Sequence, residues 1–431
     1  MRTIILYLSS IAFIISNSCC TGGKRGEGNR MSGGNNDNRE MVSDVNNDQP
    51  LSEHPVINVY LENSGSMNGY VDNGKTMFQQ DVYNYLSDVN ISQIPSEMNL
   101  FFINSQIIPR DNVLSDFINK LNPSSFRMAG GQTGTTDLSD IFKMILEKTA
   151  TDTVSIFISD CIFSPGNVTS PEAYLTNQQI GIKESMAKYV SSHPSFGVMV
   201  YQLYSNFNGR YYDYRNKPHN YSGERPYYIW VMGDVLHLEN LRNAIPNHKF
   251  QGAGVSNFWC ASPITLREPN FTILPSPRKG SFDRNGKAGL SKVKLDENGD
   301  FMFTIAADLS MFELLLGNDY LMNTDNYARL ISKQLSEDIG IRIERNTIAT
   351  SPATHNISLI THNYIPRGDI TLILQCHTPL WVTQYTDDND TDLTDSNSRK
   401  TYGLKYLFDG VQQGLTARTS GIYTEMNVNL K

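Results

Sequence analysis

Cysteine is scarce in this chain. Its 431 residues hold five, and two of them, Cys19 and Cys20, stand side by side near the start. The other three, Cys161, Cys260 and Cys376, are odd in number and widely separated, which argues against a disulfide framework. Each lies in an apolar setting ("ISDCIF", "NFWCAS", "LILQCH") and reads as a small buried hydrophobe. Excess positive charge is missing as well. The net charge is −8, so the chain lacks the clustered cations that displace counterions from nucleic acid. Catalytic signatures are also wanting. There is no Gly-x-Ser-x-Gly elbow, no phosphate-cradling Gly-x-x-x-x-Gly-Lys loop and no helical His-Glu-x-x-His. His355 and His362 flank a strand-like run instead. These absences predict a protein that is not an enzyme.

The start of the chain carries what the rest lacks, a long apolar run. Arg2 precedes "IILYLSSIAFII" (4–15), which is shorter than the roughly 20 residues that span a bilayer. The run leads to "SNSCC" and resembles a bacterial lipoprotein signal. That resemblance implies a signal over residues 1–20 and lipid attachment at Cys19 or Cys20, with Cys19, preceded by Ser18, the better fit. It further implies a membrane contact through the lipid and a place in the cell envelope, on a face left open. Residues 21–54 are rich in Gly, Asn and charge, hold few apolar residues, and read as a flexible tether.

From residue 55 the pattern alternates. Apolar runs "VINVYLE" (56–62), "MNLFFINS" (98–105), "TVSIFISD" (153–160), "FGVMVYQLYS" (196–205) and "PYYIWVMGDVL" (226–236) predict strands. Between them, helical spacing appears at 78–89, 113–121, 138–149 and 181–193. Strands of this kind interleaved with helices predict a doubly wound, mainly parallel α/β sheet over 55–248. Residues 249–431 change style. Runs at 301–307, 339–346, 355–361, 369–376 and 422–430 predict strands, and "LLLGNDYLMNTDNYARLISKQL" and "TYGLKYLFDGVQQGL" predict helices. This second stretch reads as a β-rich domain, α+β or sandwich-like.

In an open α/β sheet, ligands bind where loops leave the carboxyl ends of the strands. Three features converge there. The first strand ends in Glu62-x-Ser64-x-Ser66, a Gly-rich loop delivers Thr136-Asp137 to a helix start, and the strand 153–160 ends in Asp160. These are hard oxygen donors, suited to Mg²⁺ or Mn²⁺. The order "ENSGSM", "GTTDLSDIFKMIL", "SIFISDC" resembles the von Willebrand factor A domain over roughly residues 55–245. That family's metal-ion-dependent adhesion site uses Asp-x-Ser-x-Ser, a later Thr and a late Asp. The resemblance implies metal ligands at Ser64, Ser66, Thr136 and Asp160, with Thr135 as the alternative threonine and Glu62 where the family has Asp. It also implies a protein partner that offers an acidic side chain to the ion. Asp137 reads as an acidic residue favouring its helix N-terminus.

Other candidates are weaker. "TDDNDTDLTDS" (386–396) lacks the Gly and Glu of a calcium loop, having Leu393 and Arg399 there, and reads as a solvated acidic loop. The tyrosine-rich 206–216 and 223–230 read as a connecting loop, serving either a partner or packing against the second domain. The expectation is therefore an envelope lipoprotein that recognises protein through a divalent ion. Two alternatives are a hydrolase using the same ion and a structural component without metal.

Overall fold

The computed structural model describes residues 51–71, 76–134, 137–166, 168–348, 350–394 and 397–431. Cys19, Cys20, the signal, nearly all of the tether, and the pair Thr135 and Thr136 lie outside the described residues.

Apolar β-branched and aromatic residues build the first sheet. Its strands are β1 (Val56–Glu62), β2 (Glu97–Ile103), β3 (Ile107–Pro109), β4 (Thr153–Ser159), β5 (Phe196–Tyr212), β6 (Pro218–Asp234) and β7 (Asn257–Ala261), in the order β3-β2-β1-β4-β6-β5-β7. The helices between them are α1 (Met77–Ile91), α2 (Leu114–Asn119), α3 (Pro123–Met128), α4 (Leu138–Lys148), α5 (Pro171–Val190) and α6 (Val235–Ala244). β1 is parallel to β2 on one side and to β4 on the other. β3, β6 and β7 run against their neighbours. The sheet is mixed, which corrects the expectation of a mainly parallel one. The cause is the β5–β6 hairpin. Its turn is only a few residues long, so β6 must return antiparallel beside β5, and it enters the sheet between β5 and β4.

Alternation along β6 sends side chains to opposite faces. Tyr227 meets Phe78 of α1 (ring centroids 4.9 Å apart), whereas Trp230 meets Phe142 of α4 (5.2 Å). β4 is buried at every position, as a central strand covered on both faces must be.

The remaining strands are β8 (Phe271–Ile273), β9 (Ser281–Asn285), β10 (Gly289–Lys294), β11 (Asp300–Ala307), β12 (Tyr327–Ile331), β13 (Gln334–Leu335), β14 (Gly340–Arg345), β15 (His355–His362), β16 (Ile370–Gln375), β17 (Thr386–Asp387), β18 (Thr401–Tyr402) and β19 (Ile422–Leu430). They form a six-stranded sheet, β13-β12-β16-β19-β10-β9, a four-stranded sheet, β14-β15-β11-β8, and the pair β17-β18. Phe282 of β9 meets Phe301 of β11 edge to face across the two larger sheets (6.2 Å). Helices α7 (Ser310–Leu316), α8 (Asn318–Met322), α9 (Leu380–Gln384) and α10 (Leu404–Leu415) join them. The expected long helix over 314–335 breaks after α8. "YARLI" is strand β12, because its side chains find partners on β16 (Tyr327 opposite Leu374).

Two elements beyond residue 248 complete the first sheet's layers. β7 is its edge strand. α10 lays Phe408 against Trp230 (4.9 Å) and Trp259 (5.2 Å), and Gly410 and Gly414 bring it close to α5. Among the described residues, no helix is long and apolar enough to cross a membrane.

Candidate functional site

β1 carries its apolar run to Leu61 and stops at Glu62, which is buried. The chain then turns through Ser64 and Gly65 into a 3-10 turn, Ser66–Tyr70. The hydroxyls of Ser64 and Ser66 share a hydrogen bond of 2.9 Å. The Gly65 N–H donates to the Thr133 carbonyl (2.8 Å), which pins the glycine-rich loop before α4 against the serine turn. Because β2 and β4 flank β1 on opposite sides, this turn stands at the sheet's switch point.

The second carboxylate comes from the end of β4. Asp160 is buried, and Cys161 after it adopts a φ of 55°, in the left-handed region. A side-chain-bearing residue takes that conformation at a cost of about 1 kcal/mol, and here local bonds hold it. The Ser159 hydroxyl donates to Glu62 Oε2 and accepts the Cys161 N–H (2.7 Å). One hydroxyl thus ties the end of β1 to the bent backbone that aims Asp160. The Trp230 indole N–H supports Cys161 from below, donating to its Sγ (3.3 Å).

Of the expected ligands, the structure brings Glu62, Ser64, Ser66 and Asp160 together, while Thr136 lies outside the described residues. Asp137 serves the start of α4. It accepts the Asp140 N–H (3.0 Å) on one oxygen and the Gln178 side-chain amide (2.9 Å) on the other.

Electrostatics set Asp160 apart. Burial first and the nearby Glu62 charge second push its pKa up to about 7, against the opposing pull of the Ser66 hydroxyl, the Ile162 N–H and Arg225. Asp160 Oδ1 accepts the Ile162 N–H (3.3 Å), and Oδ2 has no hydrogen-bond partner among the described residues. A buried oxygen left in this state needs an explanation.

Arg225 is the cation of the cluster. It is buried, donates through Nη1 to the Ser398 carbonyl (2.8 Å), and lies 4.6 Å from the centroid of the Tyr211 ring. Its Nε and Nη2 have no hydrogen-bond acceptor among the described residues. Tyr211 in turn donates to Asp390, which also accepts the Tyr214 N–H (2.9 Å). Asp390 is therefore buried, which corrects the reading of 386–396 as a wholly solvated loop. The stretches 206–212 and 218–225, read as loop, are likewise strand and extend the hairpin beyond the predicted 226–236 strand, and the extended hairpin lies over the serine turn. Phe207 packs on Gly69, where a Cβ would overlap its ring, and the Tyr70 hydroxyl donates to the Pro226 carbonyl (2.6 Å).

Above this buried layer opens a cleft of about 210 Å³, lined by Ser64, Ser66, Arg127, Thr133, Tyr212 and Asn216 among others. Among the described residues, no group of three or more Asp, Glu, His or Cys side chains is placed to hold a metal ion. The candidate site has two carboxylates, and its other donors are hydroxyls. Such a set suits a hard cation such as Mg²⁺ or Mn²⁺, which keeps waters in its shell. The free Asp160 oxygen fits that ion, as does the like-charged pair buried beneath the hydroxyls. Glu62 fits less directly, because Ser159 already holds one of its oxygens.

Sequence reasoning missed Ser159, Arg225 and Tyr211, and it noticed Asp390 only as one of the alternating acids of a solvated loop. For Tyr211 a signal was present: in "NFNGRYY", Asn206, Asn208 and Arg210 alternate with the buried Phe207 and Tyr211. No protein-family model, curated protein or solved structure matches the chain. The likeness to the von Willebrand factor A domain therefore rests on the sequence motif alone.

Proposed function

We propose that the first sheet is a von Willebrand factor A-like recognition module on an envelope lipoprotein, binding a protein partner through a divalent ion at the cleft floor. One observation carries the proposal: a buried carboxylate oxygen, Asp160 Oδ2, without a hydrogen-bond partner among the described residues, near two buried serines, Ser64 and Ser66, that line the cleft. Asp160, Ser64 and Ser66 would hold the ion, with Thr136 added by the resemblance. Bound there, it would supply an open coordination position for an oxygen of the partner.

The chain's own residues have distinct parts in this reading. Ser159 fixes Glu62 as a nearby negative charge, so the longer side chain that replaces the family's Asp acts through the field and through water. Cys161 and Ser159 hold the bend that presents Asp160. Arg225 partly offsets the Asp160 charge and keeps the buried carboxylate compatible with folding when no ion is bound. The hydrolase alternative has no motivating observation, since the described lining of the cleft offers no His, Asp or Glu as a general base.

A second reading has an observation of its own. With Ser159 on Glu62 and the Arg225 charge acting on Asp160, the guanidinium stands in for the ion and the module works without metal. Calorimetric titration of the full chain with Mg²⁺ and with Mn²⁺ separates the two. The metal reading expects saturable one-site binding, lost in Asp160→Ala and in Ser64→Ala. No heat at millimolar ion, with the variants indistinguishable from the parent, overturns it in favour of the second.

A further inference from the structure

Arg127 lines the same cleft as Ser64 and Ser66, yet it forms no hydrogen bond or ion pair among the described residues and is exposed. It occupies the last turn of α3. An exposed arginine is ordinary by itself, but the backbone beneath this one is held by the acid-x-Ser-x-Ser motif. Asn63, the spacer between Glu62 and Ser64, is buried and donates through Nδ2 to the carbonyl of Phe126, the residue before Arg127 (3.0 Å). Asn104 donates to Asn63 Oδ1 (3.0 Å) and to the Gly130 carbonyl (2.9 Å), closing the network just past α3. Gly131 makes the approach possible: its φ is 76°, and a Cβ would overlap the Asn104 amide. The spacer residue thus registers Arg127 to the hydroxyls.

Charge around the cleft points the same way. Its described lining carries one cation, Arg127, and no carboxylate. Across from α3, Asn216 of the β5–β6 turn also lines it, flanked by the exposed Arg215 and Lys217. The acid of that turn, Asp213, faces inward. It accepts the N–H groups of Arg215 (3.0 Å) and Lys217 (2.8 Å) and pairs with His219 (3.1 Å). Beneath the cleft, Glu62 and Asp160 share one buried cation, Arg225, and a divalent ion added there makes the cluster net positive.

From this arrangement, and resting on the metal reading above, we infer that Arg127 is a second anchor for the partner. The segment that enters the cleft is an acidic peptide presenting two carboxylates, one to the ion and one to the Arg127 guanidinium. A guanidinium takes a carboxylate in a bidentate, charge-assisted pair, which Lys cannot reproduce.

The test uses blocked synthetic peptides with two Asp separated by zero to three Gly, and their counterparts with one Asp changed to Asn. Binding to the full chain is read by fluorescence anisotropy in saturating Mg²⁺ and in chelator. The best two-Asp peptide is expected to bind about tenfold more tightly than its one-Asp counterpart, the size of one charged hydrogen-bonded contact. Arg127→Ala removes that advantage, Arg127→Lys restores part of it, and Arg127→Glu weakens the two-Asp peptide below the one-Asp peptide. An advantage that survives Arg127→Ala while binding still requires Mg²⁺ overturns the inference and leaves the metal reading standing. Arg127-dependent binding that persists in chelator sinks the metal reading and keeps the anchor. No binding of any peptide at millimolar concentration, in Mg²⁺ and with the fold intact by circular dichroism, overturns the inference.

Discussion

Asp160, at the carboxyl end of the first sheet, and Asp300, at the start of β11 in the four-stranded sheet, are treated in opposite ways. Asp300 is bonded by Lys279 Nζ and His362 Nδ1, each at 2.5 Å, and those partners hold its pKa below the usual carboxylate range. Asp160 lies beside a like charge with one oxygen unpartnered, and burial drives its pKa up. Nothing about an aspartate after an apolar strand demands the second outcome. A carboxylate placed for stability is satisfied by its own chain. One left unsatisfied in the interior is a candidate for work on a ligand.

The sharpest way to break this comparison is to remove the cation at the sheet end. Arg225→Ala removes the positive charge that acts on Asp160 and strips the Ser398 and Tyr211 contacts. The expected loss is about 3–5 kcal/mol in urea unfolding. A loss near zero means that Arg225 does not balance this charge, and the contrast with Asp300 fails. Asp160→Asn is next in size and opposite in sign. In chelator it relieves the like-charge pair, and the apo protein gains about 1–3 kcal/mol at pH 7.5. Any stabilisation conferred by Mg²⁺ on the parent is absent in the variant. An Asp160→Asn protein less stable than its parent in chelator identifies Asp160 as a structural residue.

Much of the sheet end was legible in advance because it rests on local pattern. β1 and β4 are continuous apolar runs, and the acid and hydroxyls follow them within a few residues, so Glu62, Ser64, Ser66 and Asp160 were named from spacing. Arg225 and Asp390 were not placed there, because their burial depends on partners far along the chain. Arg225 sits opposite Ser205 on the hairpin, and Asp390 meets Tyr211 and Tyr214. A polar, tyrosine-rich stretch looks like a loop until its register with a partner strand is known. The same reasoning explains β12, whose "YARLI" is compatible with a helix and becomes a strand through pairing with β16.

Asp81 of α1 sharpens the comparison at a third position. It is buried, accepts the Tyr227 hydroxyl (3.3 Å), and has one oxygen unpartnered among the described residues. Burial pushes its pKa up to about 6. The folded state therefore binds its proton more tightly than the unfolded chain, and stability falls as pH rises from about 4 through 6. Asp81→Asn is expected to stabilise the protein by about 1–2 kcal/mol at pH 8, a value reduced for partial solvent screening, with the gain fading below pH 4. Thermal unfolding across pH 4–8 measures it, and a gain independent of pH contradicts the assignment.

The smallest effect belongs to Asp300, and its sign is the mirror image. A pKa lowered by folding means that the pair contributes above the unfolded carboxylate's value and is lost as pH falls through the folded one. Asp300→Asn is therefore destabilising at pH 7, less so as the solution is acidified, and by less than the change at Asp81. The partners are solvated, with Lys279 42% and His362 64% exposed at their side chains. Added salt should erase most of the difference. Salt should leave the Asp160→Asn gain largely intact, because the repulsion between Asp160 and Glu62 acts between two buried groups, where screening is weak. Measuring both variants at low and high ionic strength turns the comparison into a single contrast of slopes. Equal salt sensitivity would mean that Asp160 is more open to water than its burial indicates, and an oxygen that water already serves gives no reason to invoke an ion.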